Sequence, residues 1–273
     1  MNRFFKLVNM ELNRFSKFLF GMIIGVFIIQ VSGLIITAKT YMNNANESLM
    51  NGVTKETFIY DHGQYGINIY MDSMWFNTPI ALCAGAIFLY IFLIWYRDWS
   101  GKSSFIYRLL MIPTSRLSIY FAKITALMLL VFSLVSAQLI FLLIESKILG
   151  WIISADYLKE MSIISLTKAE NLIQILLPSS LTQFILSYGA GFVSLTILFT
   201  AILLERSFKW KGIILGIIYC GVTIAIFVAP LLLLDTNYFY ISELIMITSI
   251  VGSLIGVISI LLSHYLLNKK VTV

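Results

Sequence analysis

Six long runs without a charged residue constrain this chain more than any other feature. They are Phe18–Ala38, Ser73–Tyr96, Ile124–Ile144, the last two-thirds of Asn171–Leu204, Gly212–Leu234 and Leu244–Ser263. A helix needs about 20 apolar residues to cross roughly 30 Å of hydrocarbon, and each run is of that length. The fourth is overlong, so its span is expected to begin near Ser180, just after Pro178, where proline favours a helix start. Helices are forced because backbone groups in lipid must be paired within their own segment. The fold class is therefore an all-α integral membrane protein with six transmembrane helices. Composition agrees: 59% of residues are hydrophobic and 12% charged, against about 25% charged in ordinary soluble domains.

Charge orients the spans. With both termini in the cytoplasm, the inside segments hold 14 of the 19 basic residues and only three of the 13 acidic ones, Glu11, Asp98 and Glu205. That is the positive-inside pattern. It also accounts for the net charge of +6 without a nucleic-acid partner. The first run ends in Lys39 with no Ala-x-Ala site, so the expectation is a retained first span.

Residues 1–17 carry an amphipathic pattern of their own. Phe4, Val8, Leu12, Phe15 and Leu19 recur at helical spacing, with Lys6, Asn9, Asn13 and Lys17 on another face. This predicts an interfacial helix lying in the inner leaflet, followed by a single six-span membrane domain over 18–273. The outer loops are expected at 39–72, 145–179 and 235–243, and a longer inner loop at 97–123. Tyr41, Tyr60, Tyr65, Tyr70, Trp75, Tyr238 and Tyr240 flank outer span ends, and Trp95, Tyr96, Trp99 and Trp210 flank inner ones. All are read as interfacial anchors. Cys83 and Cys220 lie in different spans and read as small apolar residues.

Reactive constellations are missing from the sequence. The spans read as uncharged inside, with Glu145, Glu205 and Asp235 at their ends where water can reach. Ion- and proton-driven transport normally needs interior charge, so energy is expected from elsewhere. His62 and His264 fall on opposite sides of the membrane, and no H-E-x-x-H, G-x-S-x-G or phosphate-loop motif occurs. No catalytic residue, metal site or bound cofactor is expected on this chain. Gly-x-x-x-Gly pairs at Gly21/Gly25, Gly212/Gly216 and Gly252/Gly256 are candidate helix contacts.

The inner loop is the most distinctive stretch. Ser104–Met111 can form two helical turns, with Phe105, Leu109 and Ile112 on one side and Tyr107, Leu110 and Met111 on the adjoining one. Pro113 ends the turns, and Ser115 is placed to cap the helix that follows. Exposed bulky apolar residues of this kind mark a contact with a partner.

The loop reads Arg108-Leu-Leu-Met-Ile-Pro-Thr-Ser-Arg116, followed by Lys123. With six spans and a leading interfacial helix, it resembles the permeases of type-2 ATP-binding-cassette exporters. The resemblance implies a coupling helix at roughly Ser104–Pro113 that docks on a separate ATPase through Phe105, Tyr107, Arg108, Leu109, Leu110, Met111, Pro113, Ser115 and Arg116. ATP and Mg would be bound by that partner. It further implies two permeases, identical or similar, facing each other across the second and fifth spans. Asn77, Thr78, Phe88, Tyr219, Thr223 and Phe227 are then candidates for the substrate path. The loop at 235–243 is too short for the re-entrant gate helices of some members.

The expected function is export of an amphipathic or hydrophobic substrate across a bacterial cell membrane. An antimicrobial peptide is favoured by the resemblance alone. The alternatives are a lipid or drug exporter, or a non-transporting membrane sensor or assembly partner.

Overall fold

The computed structural model describes residues 3–99, 115–159, 176–233 and 240–270. Its helices are α1 Arg3–Met50, α2 Lys55–His62, α3 Ile67–Met71, α4 Met74–Trp99, α5 Arg116–Ile152, α6 Leu181–Phe208, α7 Trp210–Leu233 and α8 Ile241–Lys269. Two-residue strands, β1 Tyr65–Gly66 and β2 Leu158–Lys159, pair in parallel. Among the described residues, six helices (α1 and α4 to α8) are long and apolar enough to cross a membrane. The all-α expectation holds, and the architecture is that of a multi-pass membrane protein.

Helix α1 departs from expectation. Its 48 residues run without a break, about 72 Å at 1.5 Å per residue. The interfacial helix expected over 1–17 is therefore not a separate element. No proline precedes Pro79, so nothing in the sequence interrupts the hydrogen-bond ladder. The helix ends where Gly52 takes a left-handed φ of +83°, which costs glycine little. Thr54 then caps α2, its hydroxyl accepting the Thr57 N–H at 3.3 Å.

Contacts divide the chain into two compact units. One comprises the described residues of Phe15–Ala86 and Leu130–Gln183. Much of what was expected to be outer loop is folded here. Ala45, Phe58, Tyr65, Ile67, Tyr70, Leu149, Ile153 and Tyr157 form one buried cluster. The Tyr41 ring lies 5.6 Å from that of Phe58 and 5.1 Å from that of Tyr65, and its hydroxyl donates to the Gly63 carbonyl at 2.7 Å. Lys55 pairs with Asp156, and the Gln64 side chain donates to the Asp156 carbonyl at 3.2 Å. Tyr65 and Tyr70 are thus core residues, which corrects their reading as interfacial anchors. Burial pushes both phenols above their ordinary pKa.

The other unit comprises the described residues of Met1–Arg14, Ile87–Leu129 and Phe184–Val273. Two of the three Gly-x-x-x-Gly pairs mark close packing in it. A methyl group on Gly212 would meet the Leu204 carbonyl oxygen at 2.2 Å, and one on Gly216 the Ala201 carbonyl oxygen at 3.1 Å. Gly252 and Gly256 likewise face Phe227 and Val193. By contrast, Gly21 and Gly25 have open space before them. Small residues let helix backbones approach. Hydroxyls add to the packing: Thr200 Oγ1 bonds the Ser259 carbonyl at 3.1 Å and Ser263 Oγ at 2.8 Å.

Candidate functional site

Five charged side chains meet where α1, the end of α4 and the start of α5 come together. The Lys123 ammonium donates to Glu11 Oε1 at 2.8 Å, Asp98 Oδ2 at 2.5 Å and the Ile94 carbonyl at 2.9 Å. Arg97 Nη2 donates to Glu11 Oε2 at 2.9 Å, and Arg14 Nη1 to Asp98 Oδ1 at 3.0 Å. Glu11, Asp98 and Lys123 are only 2%, 1% and 0% exposed. An ammonium has three donors, and Lys123 uses all three. Its charge also sits 5.2 Å from the Trp95 ring centroid. Trp95 is fully buried, which corrects its reading as an interfacial anchor.

Three cations face two carboxylates here, so breaking one pair leaves a neighbour charged and buried. Such a network is costly to disrupt. Asp98 and Lys123 stand on either side of residues 100–114, and Glu11 joins both sides to α1. The arrangement ties the two ends of the loop to one helix. Around it, Leu7, Val8, Ile119 and Ala122 form a small apolar core, with Trp99 packed against it.

Of the residues expected at the coupling helix, Phe105, Tyr107, Arg108, Leu109, Leu110, Met111 and Pro113 lie outside the described residues. Ser115 directly precedes α5, and its hydroxyl pairs with Ser118 Oγ at 2.7 Å. The Arg116 guanidinium donates to the Leu267 carbonyl, so the start of α5 is fastened to the end of α8. The resemblance motif therefore ends on two anchored cations, Arg116 and Lys123.

The candidate path residues are mostly occupied locally. The Asn77 amide donates to the carbonyls of Met71 at 3.0 Å and Ser73 at 3.2 Å, which closes the turn before α4. Thr78 is exposed. Phe88 is 52% exposed and packs edge-on against Phe92. The Tyr219 hydroxyl pairs with Ser259 Oγ at 2.6 Å. Thr223 is buried, with its hydroxyl bonded to the Tyr219 and Cys220 carbonyls. Phe227 packs on Gly252.

Glu145 contradicts the expectation of easy solvation at a span end. It lies within α5, is 0% exposed, and neither carboxylate oxygen has a hydrogen-bond partner among the described residues. Helix α5 continues to Ile152, and Leu142 and Leu149, which share the face of Glu145, are buried too. The carboxylate acts on Tyr70, adding to the rise that burial causes there. Near it, Gln30 bonds the Phe76 carbonyl at 3.1 Å and Gln138 at 3.3 Å, and the Tyr70 hydroxyl donates to the Gln30 carbonyl at 2.5 Å.

A buried polar group without a partner costs about 1–3 kcal/mol. Glu145→Leu is therefore expected to raise thermal stability by that order, read as a higher melting temperature in detergent. An unchanged or lower melting temperature would show that the carboxyl is satisfied. Chemically, such a group can take up a proton or a cation. Among the described residues, no cluster of His, Cys, Asp and Glu is suited to hold a metal ion.

No family model, curated protein or solved structure matches this chain.

Proposed function

We propose that this chain is the membrane permease of an ATP-driven exporter, with hydrolysis of ATP and Mg binding on a separate ATP-binding-cassette subunit. A second permease, identical or similar, faces it in the bilayer. The substrate is amphipathic or hydrophobic, with an antimicrobial peptide as the first choice and a lipid or drug as the alternative. The setting is a bacterial cell membrane with both termini cytoplasmic.

One observation carries the reading. The loop whose sequence resembles a coupling helix is bounded by Arg97 and Asp98 on one side and Lys123 on the other; Arg97 and Lys123 both pair with Glu11, and Asp98 pairs with Lys123 and Arg14. A push on such a loop reaches three helices at once instead of being lost in side-chain motion. Arg116, fastened to α8, adds a fourth.

The orientation is tested by cysteines placed at Lys55, Lys159 and Lys209. The first two are expected to react with an impermeant thiol reagent in intact cells, and the third is not. Labelling at Lys209 from outside would overturn the topology and the coupling role with it.

A second reading rests on Glu145. A buried carboxyl in a spanning helix is a recurrent feature of proton-coupled transport. Transport in vesicles lacking ATP, abolished by a protonophore and by Glu145→Gln, would favour that reading over an ATP-driven one.

A further inference from the structure

The turn joining α6 to α7 borders an open pocket of about 230 Å³, lined by Glu205, Arg206, Lys209, Trp210 and Ile213. We propose that it holds the phosphate headgroup of an anionic phospholipid. The walls are built for charge that stays in place. The Arg206 guanidinium lies 4.7 Å from the Tyr96 ring and 5.0 Å from the Trp99 ring, so stacking holds it in position. Glu205, the one acid in the wall, accepts the Tyr96 hydroxyl proton in a hydrogen bond. Arg206 and Lys209 outnumber it, which leaves the lining net positive.

Lys209 supplies the second argument. It takes φ +53°, and among the described residues it is the one non-glycine with positive φ. A helix that ends in this conformation usually does so on glycine, because a Cβ is strained there. The chain keeps a cation at a position where glycine would sit more easily. Strain of this kind is characteristic of binding sites.

Lipid, and not a soluble anion, is favoured by what adjoins the cavity. Trp210 is 84% exposed at its edge, the position at which indoles settle among headgroups. From there Ile213, Ile214 and Ile217 run exposed along α7, an apolar track for an acyl chain. A free phosphate or a sugar phosphate would have no use for that track. The proposal needs only that the chain lies in a bilayer, so it stands apart from the export reading.

The test uses the full-length chain, delipidated in mild detergent. Its melting temperature is followed against added phosphatidylglycerol, phosphatidylcholine or inorganic phosphate. Phosphatidylglycerol is expected to stabilise it, and the other two are not. Lys209→Gly should weaken the apparent lipid affinity about five-fold, one cation's share near an anionic lipid. Its lipid-free melting temperature should hold or rise, since glycine relieves the left-handed strain. Lys209→Gln removes the charge alone and should give the same lipid loss, and adding Arg206→Gln should deepen it to about 25-fold. Equal stabilisation by phosphatidylcholine, protection by inorganic phosphate at the same concentration, or an unchanged response in the double variant would each overturn the proposal.

Discussion

Lys123→Met is expected to be among the most damaging single substitutions in the chain. Lys123, Glu11 and Asp98 are almost wholly buried, and removing one partner of a buried ion pair costs about 3–5 kcal/mol. The penalty arises less from the lost attraction than from two carboxylates left in a dry setting with Arg14 and Arg97 alone. A second change should therefore recover part of the loss. Adding Asp98→Asn to Lys123→Met removes one of the stranded charges, and the double variant is expected to melt above the single one. Thermal melting of the four proteins in the cycle checks this. Additive losses would mean that Lys123 and Asp98 do not act as a pair.

The second large effect is expected at Leu110. If the loop docks on an ATPase, each apolar side chain buried there contributes roughly 1.5–3 kcal/mol. A charge in that contact is worse than a truncation because it must also be desolvated. Leu110→Glu should abolish permease-stimulated ATP hydrolysis while the protein still inserts and melts normally. Tyr107, Leu109 and Met111 should behave alike. Normal stimulated turnover in Leu110→Glu would remove this segment as the main contact.

How much of this could be read from the residues depended on where lipid did the deciding. Bilayer thickness and the need to pair every backbone group leave little freedom, so six uncharged runs became six helices. Outside that zone the constraint relaxes. Residues 39–50 read as loop because Lys39 ends the uncharged run, yet α1 continues with no proline or glycine to stop it before Gly52. The cluster around Phe58, Tyr65 and Tyr157 was masked because aromatics near span ends ordinarily serve as anchors. Only pairing between segments distant in sequence, such as β1 with β2, shows that they form a core.

The ion network leaves a signal in the sequence. Glu11 and Asp98 are acids among basic flanks, against the general charge bias of those segments, and such exceptions call for partners. Lys123 closes the loop signature, but nothing in that signature shows that its ammonium is buried against Glu11 and Asp98. Glu145 ends an uncharged run, where solvation is ordinarily easy. Packing around α5 buries the carboxyl all the same.

The central claim is that a separate ATPase drives this chain through the loop between α4 and α5. It is tested most directly by reconstituting the chain in vesicles with and without a phosphate-loop ATPase recovered from the same membranes. The account predicts that the ATPase binds the wild-type chain, that its turnover rises on binding, and that Leu110→Glu loses both effects. Hydrolysis indifferent to this chain, or a chain that purifies intact and moves a substrate with no ATPase present, would contradict it.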